Sequence, residues 1–242
     1  MSKILITGGG TGIGATIAKQ LYKLNNEIII IGRRNDMLEN INKECNNEIK
    51  HYICDISSET DIDNVIKSVG NFDILINCAG IISSVEENEN YCSEELNNIL
   101  DINLKGTIMF CLKTIDMWKA KNINGNIINI GSISAKGSKY FPLYATSKAG
   151  IVTFTKSIAS RYGELGIRCN VISPGVIKTP MSYIETPDFD DYIEVIEDNT
   201  PLKRLGKTED IANVVEFLIS ENSNFITGQE IVVDGGYTLS KE

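Results

Sequence analysis

Tyr144 and Lys148 stand four residues apart in the helically patterned stretch Tyr144-Ala145-Thr146-Ser147-Lys148, so both side chains leave one helix face. A phenol, with a pKa of about 10, is too weak an acid to work alone at neutral pH. A cation beside it stabilises the phenolate and lowers that pKa. Such a pair can deliver a proton to an oxygen on which negative charge develops, a need that arises when a carbonyl is reduced. Tyr140 is a rival donor, but the residue one turn on from it is Tyr144 rather than a lysine. Most tyrosine–lysine pairs at this spacing are only helix surface, so the reading needs support from elsewhere in the chain.

Support comes from the first residues. Ile4-Leu5-Ile6-Thr7 reads as a strand, and Gly8-Gly9-Gly10-Thr11-Gly12-Ile13-Gly14 leads from it into a helix. Glycines there permit a tight turn and bring backbone amides close to a pyrophosphate, whose charge the helix N-terminus stabilises. Gly8, Gly10, Thr11, Gly12, Ile13 and Gly14 form the expected cradle. The second expected strand ends Ile31-Gly32-Arg33-Arg34, with no carboxylate before Asp36. A ribose with both hydroxyls calls for an acidic acceptor at this place, whereas a 2′-phosphate calls for cations. Arg33 and Arg34 therefore favour NADP(H) over NAD(H), since a guanidinium grips phosphate bidentately and stacks on adenine.

Other chemistries lack their residues. The cysteines (Cys45, Cys54, Cys78, Cys92, Cys111 and Cys169) include no close pair, and the one histidine, His51, merely precedes the strand-like Tyr52-Ile53-Cys54. Zinc sites group their ligands at short spacing, and a Ser-His-Asp hydrolase sets its nucleophile at a sharp strand-to-helix turn. No metal is expected, and the thiols are expected to be reduced and mostly buried. The chain of 242 residues carries 23 Lys and Arg against 32 Asp and Glu, a net charge of −9. That acidity argues against nucleic acid and against anionic membranes, both of which select clustered cations. No apolar run nears the roughly 20 residues that span a bilayer. The opening Met1-Ser2-Lys3 leads into a strand rather than a signal segment, so a soluble cytoplasmic protein is expected.

The elements that must position these residues alternate. Strands are expected at 3–7, 27–31, 49–54, 73–77, 126–130, 168–172 and 231–233. Helices fit near 13–24, 36–44, 59–69, 93–100, 104–119, 144–162 and 208–219. Alternation of this kind predicts one doubly wound α/β (Rossmann) domain over residues 1–242, with a parallel sheet of about seven strands and helices on both faces. Glu86 to Asn90 reads as solvated loop. The stretch 178–207, carrying Pro180, Pro187 and Pro201 among acidic and aromatic residues, is expected to form a lid over the carboxyl edge of the sheet.

Thr7-Gly8-x-x-x-Gly12-Ile13-Gly14, Asn77-Cys78-Ala79-Gly80, Tyr144-x-x-x-Lys148 and Pro174-Gly175 stand in the order and spacing of the short-chain dehydrogenase/reductase family. The resemblance runs to Val233-Asp234-Gly235-Gly236 and covers essentially the whole chain. It implies that Asp55 and Ile56 contact adenine and that Asn77, Ala79 and Gly80 border the cofactor. Pro174, Gly175, Ile177 and Thr179 should meet the nicotinamide end, and Lys148 should also bind the nicotinamide ribose. Ser132 matches the hydroxyl that orients the substrate, and Asn103 the asparagine that holds a water linking Lys148 to solvent. The catalytic set is thus Asn103, Ser132, Tyr144 and Lys148. Cys78 departs from the family's commoner Asn, at a place where a small side chain should serve. Family members are usually tetramers or dimers through the helices near 104–119 and 144–162.

The expected reaction is reduction of a ketone by NADPH, or the reverse. Pro201-Leu202-Lys203-Arg204-Leu205-Gly206 resembles the tail of 3-oxoacyl-acyl-carrier-protein reductases. Two positions where that group commonly carries arginine hold Ile123 and Leu165 here, with Lys119, Lys121 and Arg161 as the alternative cations. Glu185, Asp188, Asp190, Asp191, Glu194, Glu197 and Asp198 in the lid would repel an acidic carrier. A free small molecule is the favoured substrate, apolar or cyclic if Tyr183, Ile184, Phe189, Tyr192 and Ile193 face it. A non-catalytic dinucleotide sensor on the same fold would have no reason to keep all four catalytic positions.

Overall fold

Strands rich in isoleucine fill both faces of one parallel sheet. The computed structural model describes residues 1–82, 92–185 and 188–240, except for the side chains of 184 and 185. The expected loop from Glu86 to Asn90, like Pro187, lies outside the described residues. The chain runs β1 (Lys3–Thr7), α1 (Gly12–Lys23), β2 (Glu27–Gly32), α2 (Asn35–Glu44), β3 (Lys50–Ile53), α3 (Glu59–Val69) and β4 (Ile74–Asn77). After α4 (Ser93–Ile99) and α5 (Thr107–Lys121) come β5 (Asn126–Ile130), α6 (Pro142–Tyr162) and β6 (Arg168–Pro174). Then follow α7 (Pro180–Glu185), α8 (Ile193–Asp198), α9 (Thr208–Ile219) and β7 (Glu230–Val233). The seven strands are parallel in the order β3-β2-β1-β4-β5-β6-β7. The expected single α/β domain is what the chain forms.

Alternation along each strand explains the apolar runs. Ile4, Ile6, Ile28 and Ile30 face one layer, where they meet Ile17, Leu21, Ile211 and Val215 of α1 and α9. Leu5, Ile29 and Ile31 face the other, against Ile62 and Val65 of α3 and Phe110, Ile115 and Trp118 of α5. Because helices cover both sides, a polar side chain in either set would need a buried partner, and both sets are apolar. Trp118 is fully buried and donates its indole N–H to the Phe72 carbonyl at 2.6 Å, so the largest side chain of the core leaves no donor unpaired.

Two regions differ from the expectation. The helices expected at 93–100 and 104–119 form one continuous helix, in which Leu100–Gly106 is a π-helical segment joining α4 to α5. A widened turn of this kind re-aims side chains within a helix and is frequent at functional sites. This one carries Asn103. The stretch 178–207 is largely helical, with α7, a 3-10 turn at Phe189–Tyr192 and α8. Its two ends meet, since Gly206 N–H donates to the Val176 carbonyl at 3.0 Å and Ile177 bridges Gly206. Among the described residues no helix is long and apolar enough to cross a membrane.

Candidate active site

The sheet order turns back at β1, so β1 and β4 carry their connections away in opposite directions and leave a crevice at their carboxyl ends. The glycine turn sits there. Gly8 has φ +67°, and a Cβ on it would lie 2.8 Å from the Ala79 backbone. Thr7 Oγ1 accepts from the N–H groups of Cys78 and Ala79 at 3.1 Å each, which ties the end of β1 to the end of β4. A Cβ on Gly14 would run into the Gly8 carbonyl group, its carbon 2.9 Å away. The first turn of α1 therefore rests directly on the loop. Thr11 is extended before the helix and makes no side-chain cap, and the first turn holds no carboxylate. Gly14 N–H faces the Cys78 thiol, and the amides before it are placed to suit a negatively charged ligand.

A cleft of about 1360 Å³ runs from this turn across the carboxyl edge of the sheet. At one end its wall holds Gly8, Gly10, Thr11, Gly12 and Ile13, with Arg33, Arg34, Asp55 and Ile56. Ala79 and Gly80 lie midway, and Ser132, Tyr144, Lys148, Pro174, Gly175, Ile177 and Thr179 line the other part. Three expected residues, Gly14, Asn77 and Asn103, do not line it. Each stands one layer behind the wall, for a physical reason. Gly14 is packed under Gly8. Asn77 is 3% exposed and donates its amide to Asn129 Oδ1 at 2.9 Å, a buried pairing between β4 and β5. Asn103 is 1% exposed and holds the wall from the inside.

At the nucleotide end, Arg33 is exposed and Arg34 reaches Thr11 Oγ1 at 3.5 Å. Burial would raise the pKa of Asp55, but the hydroxyl and N–H of Ser57, together with the charge of Arg33, hold it below the ordinary carboxylate value. An ionised Asp55 thus faces a guanidinium with room for further anionic partners.

At the other end, Tyr144 is buried within the first turn of α6, and Lys148 Nζ lies 5.5 Å from the centre of its ring. Lys148 Nζ donates to the Ile130 carbonyl at 2.9 Å. Ser132 Oγ accepts from the Ser134 N–H at 3.1 Å, which leaves its own proton available to a ligand oxygen. Asn103 joins the wall to α6: its Oδ1 accepts from Ile81 N–H at 2.8 Å, and its Nδ2 donates to the Ile81 carbonyl and to Ser147 Oγ. The Cβ position of Gly80 lies 3.3 Å from Asn103 Oδ1 and 3.5 Å from Lys148 Nζ. A water at that point would touch both atoms, and any larger residue at 80 would fill it. Cys78 lines the cleft, and burial pushes its thiol up to about 11 despite the neighbouring Lys148 charge and Gly14 N–H.

Burial also depresses Lys148, from its ordinary 10.5 to about 8, against a small opposing effect of Cys78. Between those two values the unfolded chain holds a proton on this lysine that the folded one has released. Stability therefore rises with pH across that window. The cofactor-free protein should gain up to about 3 kcal/mol from this residue alone. Urea unfolding at pH 7.5 and pH 10 checks it, with Lys148→Met as the reference. An equal gain in both proteins would show that Lys148 is not the group responsible.

The described aromatic side chains of 178–207 do not line the cleft. Tyr183 packs edge-on to Phe189 with ring centres 5.5 Å apart and donates its hydroxyl to Asp190 at 3.0 Å. Phe189 is buried, whereas Tyr192 is 52% exposed. The side chains of Ile184 and Glu185 lie outside the described residues. What reaches the cleft is Thr179, Pro180, Met181 and Ser182. The cleft also contains residues that the sequence reading did not assign: Ile82, Lys136, Lys139, Phe141, Tyr237 and Thr238 among them. Tyr237 and Thr238 follow Asp234-Gly235-Gly236, and that motif was their one available signal. Tyr140, the rival donor, also lines the cleft but is 60% exposed.

A family model described as enoyl-(acyl carrier protein) reductase matches residues 8–238. The 3-oxoacyl-(acyl-carrier-protein) reductase of Rickettsia bellii is 34% identical over 236 residues, covering 97% of this chain and 96% of its own. The glucose 1-dehydrogenase of Gluconobacter oxydans is 32% identical over 248 residues, covering 98% and 92%. The crystal structure of 3-ketoacyl-(acyl-carrier-protein) reductase from Brucella melitensis complexed with NADH shares 29% identity and a TM-score of 0.90, with 98% of each chain covered. These matches define an oxidoreductase that works with a nicotinamide dinucleotide on a carbonyl or an alcohol. The chain belongs to the short-chain dehydrogenase/reductase family.

Proposed function

We propose that this chain is an NADP(H)-dependent reductase of small-molecule ketones, also able to run as the oxidation of secondary alcohols. The observation that carries the reading is one cleft with Arg33 and Arg34 at its nucleotide end and Ser132, Tyr144 and Lys148 at the other. The glycine turn fits a dinucleotide: the close approaches at Gly8 and Gly14 leave no room for a Cβ, and Thr11 gives the first turn no side-chain cap. Gly8, Gly10, Thr11, Gly12 and Ile13 would hold the pyrophosphate over Gly14, and Asp55, Ile56, Ala79 and Gly80 the adenosine half. Pro174, Gly175, Ile177 and Thr179 would border the nicotinamide, which supplies or takes up the hydride when bound. Asn77 acts from behind, by fixing the end of β4.

Tyr144 donates its hydroxyl proton to the carbonyl oxygen, and Ser132 donates a hydrogen bond to the same oxygen. Lys148, as ammonium, favours the Tyr144 phenolate and reaches the ribose. Asn103 is the positioning residue. Both its amide protons are engaged, and Oδ1 has a lone pair left for a water over Gly80 that leads protons to Lys148. The apolar part of the substrate lies against Ile82, Phe141 and Met181, with 178–207 as the lid. Assembly into a dimer or tetramer through α5 and α6 is carried over from the family, and six unpaired cysteines fit a reducing compartment such as the cytoplasm.

Replacing Arg33 with alanine should weaken NADPH binding by about tenfold to a hundredfold, the loss of a charge-assisted pair, and should change NADH binding much less. Fluorescence titration of both cofactors checks it. Equal affinity of the wild type for the two would overturn the NADP(H) assignment.

Reduction of acyl-carrier-bound 3-oxoacyl groups is the second reading, favoured by the Rickettsia relative. Against it, Leu165 is an exposed aliphatic side chain, Ile123 packs into the core, and Lys119 lies 3.6 Å from Asp116. The deciding experiment is NADPH oxidation over ketones, sugars, steroids and acyl thioesters, the thioesters on carrier protein and on a small thiol. A preference of tenfold or more for the carrier-bound form, fading as salt rises, would replace the small-molecule reading.

A further inference from the structure

Charge along the cleft is distributed unlike charge in the chain. Among the described residues, Arg33, Arg34, Lys136, Lys139 and Lys148 line it with one carboxylate, Asp55, although the whole chain has 32 acidic and 23 basic residues. Three of these cations have work in the reading above: the arginines toward the nucleotide, Lys148 toward Tyr144. Lys136 and Lys139 do not. Both lie on the segment that connects Ser132 to Tyr144, so they belong to the substrate end.

Neither makes an ion pair among the described residues. The carboxylate that feels Lys136 is Asp234, but its oxygens already accept from Gly236 N–H, Thr238 N–H and the Thr238 hydroxyl at 2.8 to 2.9 Å. Lys139 Nζ rests 4.6 Å over the Tyr140 ring, exposed on its other side. Ser138 Oγ accepts from Phe141 N–H at 3.2 Å, so its proton is available to a ligand, as is that of Ser132. Between the two lysines, Gly137 has open space on its Cβ side. No described carboxylate of 178–207 lines the cleft, and Asp190 is taken by Lys178 at 2.9 Å and by the Tyr183 hydroxyl.

We propose that the substrate carries an anionic group, a carboxylate or a phosphate, on the far side of the molecule from the carbonyl, held by Lys136 and Lys139 with the Ser138 hydroxyl. The substrate class is then a keto acid or a ketone phosphate whose middle is apolar enough to lie against Phe141 and Met181. This rests on the reading of the cleft as a ketone reductase and deepens it.

The test compares keto acids with their methyl esters, and ketone phosphates with the parent ketones, as substrates with NADPH. The anionic form should be preferred at least about tenfold in kcat/KM at low ionic strength, mostly through KM, with the preference shrinking as salt rises. In Lys136→Gln/Lys139→Gln the ratio should fall to near one, and in Lys136→Glu/Lys139→Glu it should reverse. Calorimetry gives a readout without turnover: the hydroxy acid matching the best keto acid should bind the NADPH-loaded wild type and lose that affinity in the double Gln variant. Acids favour the carboxylate arm, phosphates the other. If ketones are reduced but acid and ester react equally well, this inference falls alone. If no ketone is reduced, the ketone-reductase reading falls and takes it along.

Discussion

Tyr144→Phe should lower kcat for ketone reduction by at least about a hundredfold, the scale of one acid–base contribution, while NADPH binding survives. The substitution keeps the ring, which is buried at the start of α6 and has Lys148 Nζ 5.5 Å from its centre, so packing changes little. What it removes is the one hydroxyl that stands a helical turn from a buried ammonium. Tyr140→Phe is the informative contrast. Tyr140 is 60% exposed, and its neighbouring cation, Lys139 at 4.6 Å from the ring centre, is itself exposed and screened by solvent, unlike the buried Lys148. It should cost only a few-fold. Steady-state kinetics on any accepted ketone measure both. Near-normal turnover in Tyr144→Phe with a collapse in Tyr140→Phe would move the proton donor to Tyr140.

Why these residues converge was largely legible in the chain, because the information is local. A run such as Ile28-Ile29-Ile30-Ile31 is apolar at every position, and only a strand covered on both faces needs that. The glycine turn declares itself because its steric demands fall on single positions. Less legible were features set by what lies across the fold. The helix near Asn103 reads as interrupted, yet it is continuous through a π-helical segment, whose Gly106 packs against the Ile56 carbonyl of another connection. Asn77 borders the cleft in the motif but is buried against Asn129, a partner 52 residues away. The lid aromatics carry no mark of which way they face. Their own contacts, Tyr183 with Phe189 and Asp190, satisfy them within the lid. Lys136 and Lys139 sit in no motif, and their meaning depends on a wall, built by distant segments, whose one carboxylate among the described residues is Asp55 at the nucleotide end.

Gly14→Ala should weaken dinucleotide binding by about a hundredfold or more and destabilise the cofactor-free protein by about 3 kcal/mol or more, at the upper end of overpacking costs. The added methyl would meet the Gly8 carbonyl group, which is backbone and cannot rotate away as a side chain could. Gly8 cannot retreat either. It is held at φ +67° with its Cβ side 2.8 Å from Ala79, whose N–H is bound to Thr7 Oγ1. The strain must therefore be relieved by lifting the first turn of α1, and that turn carries the amides on which a pyrophosphate would sit. Affinity and stability fall from one displacement. Gly163→Ala, where nothing lies within 4 Å of the new methyl, is the control and should change neither by much. Denaturant unfolding gives the stability and fluorescence titration the affinity. A Gly14→Ala protein that binds NADPH like wild type would mean that the loop yields elsewhere, and the glycine turn would then not be the pyrophosphate cradle.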